Sequence, residues 1–416
     1  MSVHVHLPTS RQPQNHWAKP TVEQLFGYAT EQIMLAASET WPGERIRLAE
    51  HVPSVTGFVR RVEVSGRTLY AKYSYLGNSL VSVLRGSCGD WDQVLAAQLA
   101  YVAAPGSLLE REAAQLCLLH RLGRPRAHRV AAFRCGALFT ETGPGVSLAQ
   151  LLCAEPRRVG ELLGRTWVEL RELHRPEMAR RFARSVAIKE RGIAGIFARK
   201  FTGIGANVYL DQLVAEWPDH PGERDELRAV LRRVVTRLGR LWAVTPETAG
   251  PVLVYGDLKP EHVVFEHHAV ASDRPVFIDP GMSCARATVD AAKLVSRTIL
   301  LLIGFKSLCI DEISDGLAAF VDNQIQTLSA AVRREWLGEL VLLWLMDTVN
   351  ILTTYLSVPV GLPLPAHAEA ALSQVGTVLS LVEKVSVELA AGTDPQRAWG
   401  LGLLDAAAHT RLAATA

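Results

Sequence analysis

Val252-Leu-Val-Tyr-Gly-Asp-Leu-Lys-Pro-Glu-His-Val-Val-Phe265 carries one apolar run into a Gly-Asp turn and a second apolar run out of it. Runs of Val and Leu this short, bounded by a turn, read as buried strands. The turn presents Asp257 and Lys259 together. Downstream, Pro275-Val-Phe-Ile-Asp-Pro-Gly281 repeats the device, with a short apolar strand ending on Asp279 and a turn. Two carboxylates are thereby delivered to the ends of neighbouring strands, 22 residues apart in the chain.

Phosphoryl transfer uses such a pair. One carboxylate orients or deprotonates the attacking hydroxyl, and the other holds the metal ion that bridges the nucleotide phosphates. Magnesium takes oxygen ligands, so an acid at the second position suits it. Taken alone, Gly-Asp followed by Pro also fits a plain turn. The surrounding chain has to decide.

Working outward, residues 21–39 read as an amphipathic helix, and 45–52, 58–64 and 68–75 read as strands, the last two joined by a tight turn at Ser65-Gly66. A short helix is expected at 92–101 and a longer one at 108–122, with Ser107 as N-cap, Glu110 following it and Gly123 as the stop. Two further strands, 130–133 and 137–142, lead into Gly143-Pro144-Gly145. Beyond that hinge, helical patterns dominate: 147–153, 159–174, a basic region over 178–242, and everything from Thr288 onward, with a β-rich island at 252–278. Strand-rich first and helix-rich second is an α+β, two-lobed layout. It divides the chain into a tail and helix (1–40), an N-lobe (41–142) and a helical C-lobe (143–416).

Tyr255-Gly-Asp-Leu-Lys-Pro-Glu-His262 resembles the catalytic loop of aminoglycoside phosphotransferases, choline kinases and their relatives, and its Asp-Leu-Lys-Pro-Glu core also resembles that of protein Ser/Thr kinases. Phe277-Ile-Asp-Pro-Gly281 stands where these families place their metal-binding acid, and Asp290 resembles the structural acid found shortly after it. The resemblance implies a protein kinase-like fold and an ATP- and Mg²⁺-dependent transfer to a hydroxyl. Asp257 is then the base, and Lys259 neutralises the transferring phosphoryl group. By the same resemblance, Lys72 in Leu69-Tyr-Ala-Lys72 positions the nucleotide phosphates and Glu112 of 109–116 pairs with it, while Leu138-Phe-Thr-Glu-Thr142, with Glu141, forms the hinge against adenine. A lone strand lysine is usually solvated. The order of these pieces, spread over 207 residues, is what carries the reading.

The sequence departs from the family at several positions. His262 stands where an asparagine supplies a metal oxygen, so either it ligates the metal with Asp279 or it hydrogen-bonds the loop and leaves Asp279 to hold the ion. Tyr255 replaces the histidine that braces the loop, and Pro280 stiffens the metal segment. The phosphate-covering loop has one glycine, Gly57; Ser54 and Thr56 offer hydroxyls to phosphate there, or the segment is a simple hairpin turn.

Composition narrows the function classes. Across 416 residues, 44 basic and 42 acidic side chains nearly cancel, which does not suggest a nucleic-acid binder. Six scattered cysteines contain no C-x-x-C pair and suit a reducing, cytoplasmic setting. The polar segment 1–19, with His4 and His6, has no apolar signal core. The stretch 336–356 is membrane-like in length but carries Glu339, Asp347 and Asn350, so a buried helix is expected and no membrane partner. Three functions stay open: a small-molecule hydroxyl kinase, a Ser/Thr kinase for a peptide or protein, and a weakly catalytic nucleotide-binding scaffold. The basic residues Arg180, Arg181, Arg184, Lys189, Arg191, Arg199 and Lys200 form either a solvated face or an acceptor surface suited to an anionic or peptidic substrate.

Overall fold

The computed structural model describes residues 18–213, 221–245, 250–267, 273–305 and 310–415. The expectations that concern His4, His6 and Cys309 lie outside the described residues. Helix α1 (Val22–Thr40) starts at Thr21, whose hydroxyl accepts the Gln24 N–H while the Gln24 side chain accepts the Thr21 N–H. That reciprocal pair satisfies two donors that the helix cannot use. Leu25, Ala29, Ile33 and Ala36 recur at helical spacing and are fully buried.

Strands β1 (Ile46–Val52), β2 (Phe58–Val64) and β3 (Arg67–Tyr73) follow, with Ser65-Gly66 closing the second hairpin. Short α2 (Leu80–Leu84), then α3 (Trp91–Ala103) and α4 (Leu108–Leu122), lead to β4 (Arg126–Ala127), β5 (Val130–Arg134) and β6 (Ala137–Glu141). Five strands make one antiparallel sheet in the order β1-β2-β3-β6-β5, and α1 packs on it. The start of α4 differs from expectation. Ser107 makes no side-chain cap; the Tyr101 hydroxyl at the end of α3 accepts the Leu108 N–H at 2.6 Å, and Glu110 accepts the Gly106 N–H at 2.6 Å. A neighbouring helix thus supplies what a local cap would have done.

Crossing to the second lobe, β7 (Val146–Ser147) pairs with β9 (Val263–Phe265). Gly145 makes this approach possible, at φ 145°, where a Cβ would stand 2.7 Å from the Phe265 carbonyl oxygen. Helices α5 (Leu148–Ala154), α6 (Val159–Leu170), α7 (Pro176–Arg181), α8 (Ile193–Phe201), α9 (Gly203–Ala206) and α10 (Pro221–Ala243) come next. The expected continuous helical region is interrupted by 3-10 turns at Arg184–Val186 and Lys189–Arg191 and by a π-turn at Asn207–Asp211. Buried Phe182, Ala187 and Ile188 pin the interrupted stretch to the core.

The island expected at 252–278 consists of β8 (Val252–Val254), β9 and β10 (Val276–Phe277), and β11 (Ser283–Ala285) then pairs with β8. Six helices follow among the described residues: α11 (Thr288–Gly304), α12 (Ile310–Ile325), α13 (Ala330–Leu356), α14 (Ala366–Leu372), α15 (Val375–Ala390) and α16 (Pro395–Thr415). By length and hydropathy α13 is able to cross a membrane, yet 94% of its most apolar window is buried by neighbouring helices. Its buried polar residues find partners in the fold: Asp347 pairs with Arg297 at 2.8 Å, Glu339 with Arg286 at 3.2 Å, and the Asn350 Nδ2 donates to the Ile193 carbonyl at 3.0 Å. Trp344 packs edge-on against Trp399 of α16, ring centroids 5.5 Å apart. Each fully buried leucine of this core contributes about 1.5–3 kcal/mol.

Candidate active site

Strand β8 ends at Val254, and after Tyr255 the chain turns through Gly256 at φ 82°. A Cβ there would meet the Gly281 carbonyl oxygen at 2.1 Å, so only glycine lets the two acid-bearing turns lie against each other. Asp290, fully buried at the start of α11, accepts the Tyr255 N–H at 2.8 Å and the Gly256 N–H at 2.7 Å. Those bonds pin the turn, in line with the structural role expected of Asp290. The Tyr255 hydroxyl donates to the Ile278 carbonyl at 2.7 Å, tying the Asp257 turn to the Asp279 turn. Tyr255, a departure at the position of the bracing histidine, thus braces the loop itself through its phenol.

Asp257 is 7% exposed and held on both oxygens, by Lys259 at 3.0 Å and by Lys293 of α11 at 2.8 Å. Burial pushes its pKa up, but the ammonium groups of Lys259 and Lys293, with Arg191 behind them, hold it well below the usual carboxylate range. The group is a fixed anion. Burial lowers the Lys259 pKa, and Asp257 only partly restores it.

Lys72 of β3 and Asp279 form a direct ion pair although 207 residues separate them, and Lys72 also donates to Glu112 of α4 at 2.7 Å. Glu112 has no solvent exposure, and its second oxygen takes Arg191 at 2.5 Å. Arg191 also donates to the Pro280 carbonyl at 2.7 Å. Asp279 adopts the left-handed conformation, φ 59°, which is uncommon outside glycine. Burial raises its pKa, while Lys72 foremost, then Arg191, outweigh burial and keep it ionised.

The His262 Nδ1 lies 3.0 Å from the Asp257 backbone carbonyl, and its Nε2 lies 3.6 Å from the Asp279 Oδ2. Burial and the nearby Lys259 lower its pKa to about 4, so the ring is neutral at pH 7. A carbonyl only accepts, so Nδ1 carries the proton and Nε2 presents a lone pair toward a carboxylate oxygen. Two acceptors face each other across a small gap, an arrangement that fits a bound divalent cation, although one donor is nitrogen where magnesium prefers oxygen.

Other expected residues sit less decisively. In the loop between β1 and β2, the Ser54 hydroxyl accepts the N–H groups of Thr56 at 3.3 Å and Gly57 at 3.4 Å, so these amides are turned onto the loop itself. Glu141 ends β6 with its side chain exposed, and its N–H donates to the Arg129 carbonyl at 2.9 Å. The structure brings Lys72, Glu112, Asp257, Lys259, His262 and Asp279 into one network, and leaves Ser54, Thr56, Gly57 and Glu141 outside its ion pairs. Two members went unassigned in the sequence. Lys293 follows Asp290 by one helical turn, a spacing that faces it the same way. Arg191 was grouped with the basic residues of its segment; it and Lys200 reach inward, Lys200 onto the Asn350 carbonyl, while Arg180, Arg181, Arg184, Lys189 and Arg199 are exposed.

Residues 88–300, just over half of the chain, match the model of the phosphotransferase enzyme family. Among solved structures, a choline kinase from Cryptosporidium parvum Iowa II is similar at TM-score 0.51 and 14% identity, covering 89% of this chain and 99% of that one. A Plasmodium vivax ethanolamine kinase has TM-score 0.46 and 12% identity over 85% of this chain and 86% of its own. An aminoglycoside-3'-phosphotransferase of type VIII has TM-score 0.43 and 20% identity over 77% of this chain and 99% of its own. No curated protein sequence matches the chain.

Proposed function

The chain belongs to the phosphotransferase enzyme family, and from that premise we propose that it moves the γ-phosphoryl group of ATP to a hydroxyl of a small-molecule acceptor, with a divalent cation of the Mg²⁺ class, in the cytoplasm. The observation that carries the reading is the convergence of Lys72, Glu112 and Asp279 beside Asp257 and Lys259 at the meeting of the two lobes.

Each residue has a task that follows from its charge and place. Lys72, braced by Glu112, exchanges its contact with Asp279 for the nucleotide phosphates. Asp279, with His262 beside it, would hold the cation. A bound divalent ion neutralises charge on the β- and γ-phosphates. Lys259 faces the phosphoryl group in transit, an electrostatic role. Asp257 accepts a hydrogen bond from the acceptor hydroxyl and fixes its line of attack. As the new bond from that oxygen to the γ-phosphorus forms and the bridging bond to ADP breaks, the hydroxyl proton passes to the Asp257 carboxylate. A carboxylate held this acidic is a weak base, so its larger contribution is positioning, in keeping with a loose transition state.

A second reading has its own support. Exposed Arg180, Arg181, Arg184 and Lys189 flank the segment that carries Arg191 into the site. That surface favours an acceptor bearing acidic groups, a peptide serine or threonine included, over a polycation. ATP turnover measured over cationic, neutral and acidic hydroxyl compounds and acidic peptides separates the two readings. With the best acceptor, Asp257→Asn should lower kcat about 10²–10⁴-fold with little change in ATP affinity. Wild-type turnover in that variant removes the mechanism, and nucleotide binding without turnover on any acceptor favours a scaffold.

A further inference from the structure

We propose that the His262 Nε2 is a direct ligand of the divalent cation, and that it shifts this site away from Mg²⁺ toward a transition-metal ion, Mn²⁺ in the first place. The inference rests on the phosphotransferase reading above and assigns to that site a metal preference of its own.

The geometry comes first. The Nδ1 of His262 is 3.0 Å from the Asp257 carbonyl oxygen, an atom that can only accept. This bond fixes the ring's orientation and places the proton on Nδ1. A histidine that ligates a metal through one nitrogen generally donates its other N–H to a carbonyl or carboxylate, which sets the tautomer and raises the basicity of the free nitrogen. The opposite nitrogen then points its lone pair at the Asp279 Oδ2, 3.6 Å away. At that distance the contact is not a hydrogen bond. Two donors bound to one ion at about 2.1 Å stand roughly 3.0–3.5 Å apart for right-angled to tetrahedral geometry. A small side-chain rotation closes the remaining difference.

The chemistry of the pair then selects the ion. Magnesium is small and hard, and takes oxygen ligands in near-octahedral order. Replacing one oxygen with imidazole penalises it more than a first-row transition metal, for which nitrogen is an ordinary ligand. The remaining ligands, the Asp279 carboxylate and nucleotide phosphate, are hard oxygens. Manganese accepts that oxygen set and tolerates one imidazole, which makes it the best match to the mixed donors.

Pulsed electron paramagnetic resonance tests the assignment without reliance on turnover. Protein labelled with ¹⁵N-histidine, loaded with ADP and Mn²⁺, should show coupling between the metal and a histidine ¹⁵N. The coupling should vanish in His262→Asn, and the ratio of Mn²⁺ to Mg²⁺ affinity in the ADP complex should fall about tenfold. The wild-type measurement needs no substitution, so a poorly folding variant does not block it; His262→Gln serves as the second oxygen-donor replacement. Mn²⁺ bound with ADP but without histidine coupling, or coupling that survives in both variants, overturns this inference and leaves the phosphotransferase reading standing. A protein that binds no nucleotide with either metal overturns both.

Discussion

His262 takes up a proton at ordinary pH in an unfolded chain, near pH 6.5, and in the fold only near 4, because burial and Lys259 disfavour the imidazolium. Between those values the unfolded state binds more protons, so stability rises with pH. The contribution is complete above about pH 6.5 and is lost as pH falls toward 4. For metal-free protein it amounts to about 2–4 kcal/mol. Urea unfolding from pH 7 to pH 4 should therefore be steeper for wild type than for His262→Asn. Burial also lowers His128 and His367, so both proteins keep a common slope and the difference belongs to His262. Identical profiles would mean that the ring is not desolvated as described. Asp257 and Asp279 act lower on the scale, since their pKa values are depressed and their contributions fade only below the carboxylate range.

Helix α4, the Asp279 turn and the 3-10 turn at Lys189–Arg191 are joined by one guanidinium. Arg191→Met leaves Glu112 with Lys72 alone and frees the Pro280 carbonyl; breaking such a buried pair costs about 3–5 kcal/mol. Arg191→Lys should recover only part of it, because one ammonium does not span both partners in the guanidinium's fork geometry. Chemical denaturation checks this, and a loss under about 0.5 kcal/mol for Arg191→Met would show the link to be idle. The same elements mark what was legible in the sequence. The hairpin of β2 and β3, the strands on either side of Asp257, the α4 stop at Gly123 and the buried α13 follow from local periodicity and turn chemistry, and were read correctly. Lys72, Glu112 and Asp279, expected from motif order to converge, do so. The interrupted segment between α7 and α8 was not legible, since buried Phe182 and Ile188 set its path through distant contacts. Arg191 escaped for the same reason: its partner Glu112 lies 79 residues away, and local sequence shows only one more positive charge in a basic run.

Across the whole molecule, the Lys72–Asp279 pair spans the two lobes and stands where nucleotide and cation are expected to intervene. A ligand that binds only the folded state stabilises it by mass action, about 2.7 kcal/mol at a hundredfold excess over Kd. ADP with Mn²⁺ or Mg²⁺ should raise the melting temperature more than ADP alone, and Asp279→Ala should erase the increment due to the metal. An undiminished increment in that variant would place the cation elsewhere. The burial of α13 has a consequence for synthesis. Trp344 is covered by Trp399, which leaves the ribosome later. At about 5–20 residues per second, the most lipid-like stretch of the nascent chain waits roughly 3–10 s for its lid. During that interval its apolar surface lies open to chaperones and membrane-targeting factors alike.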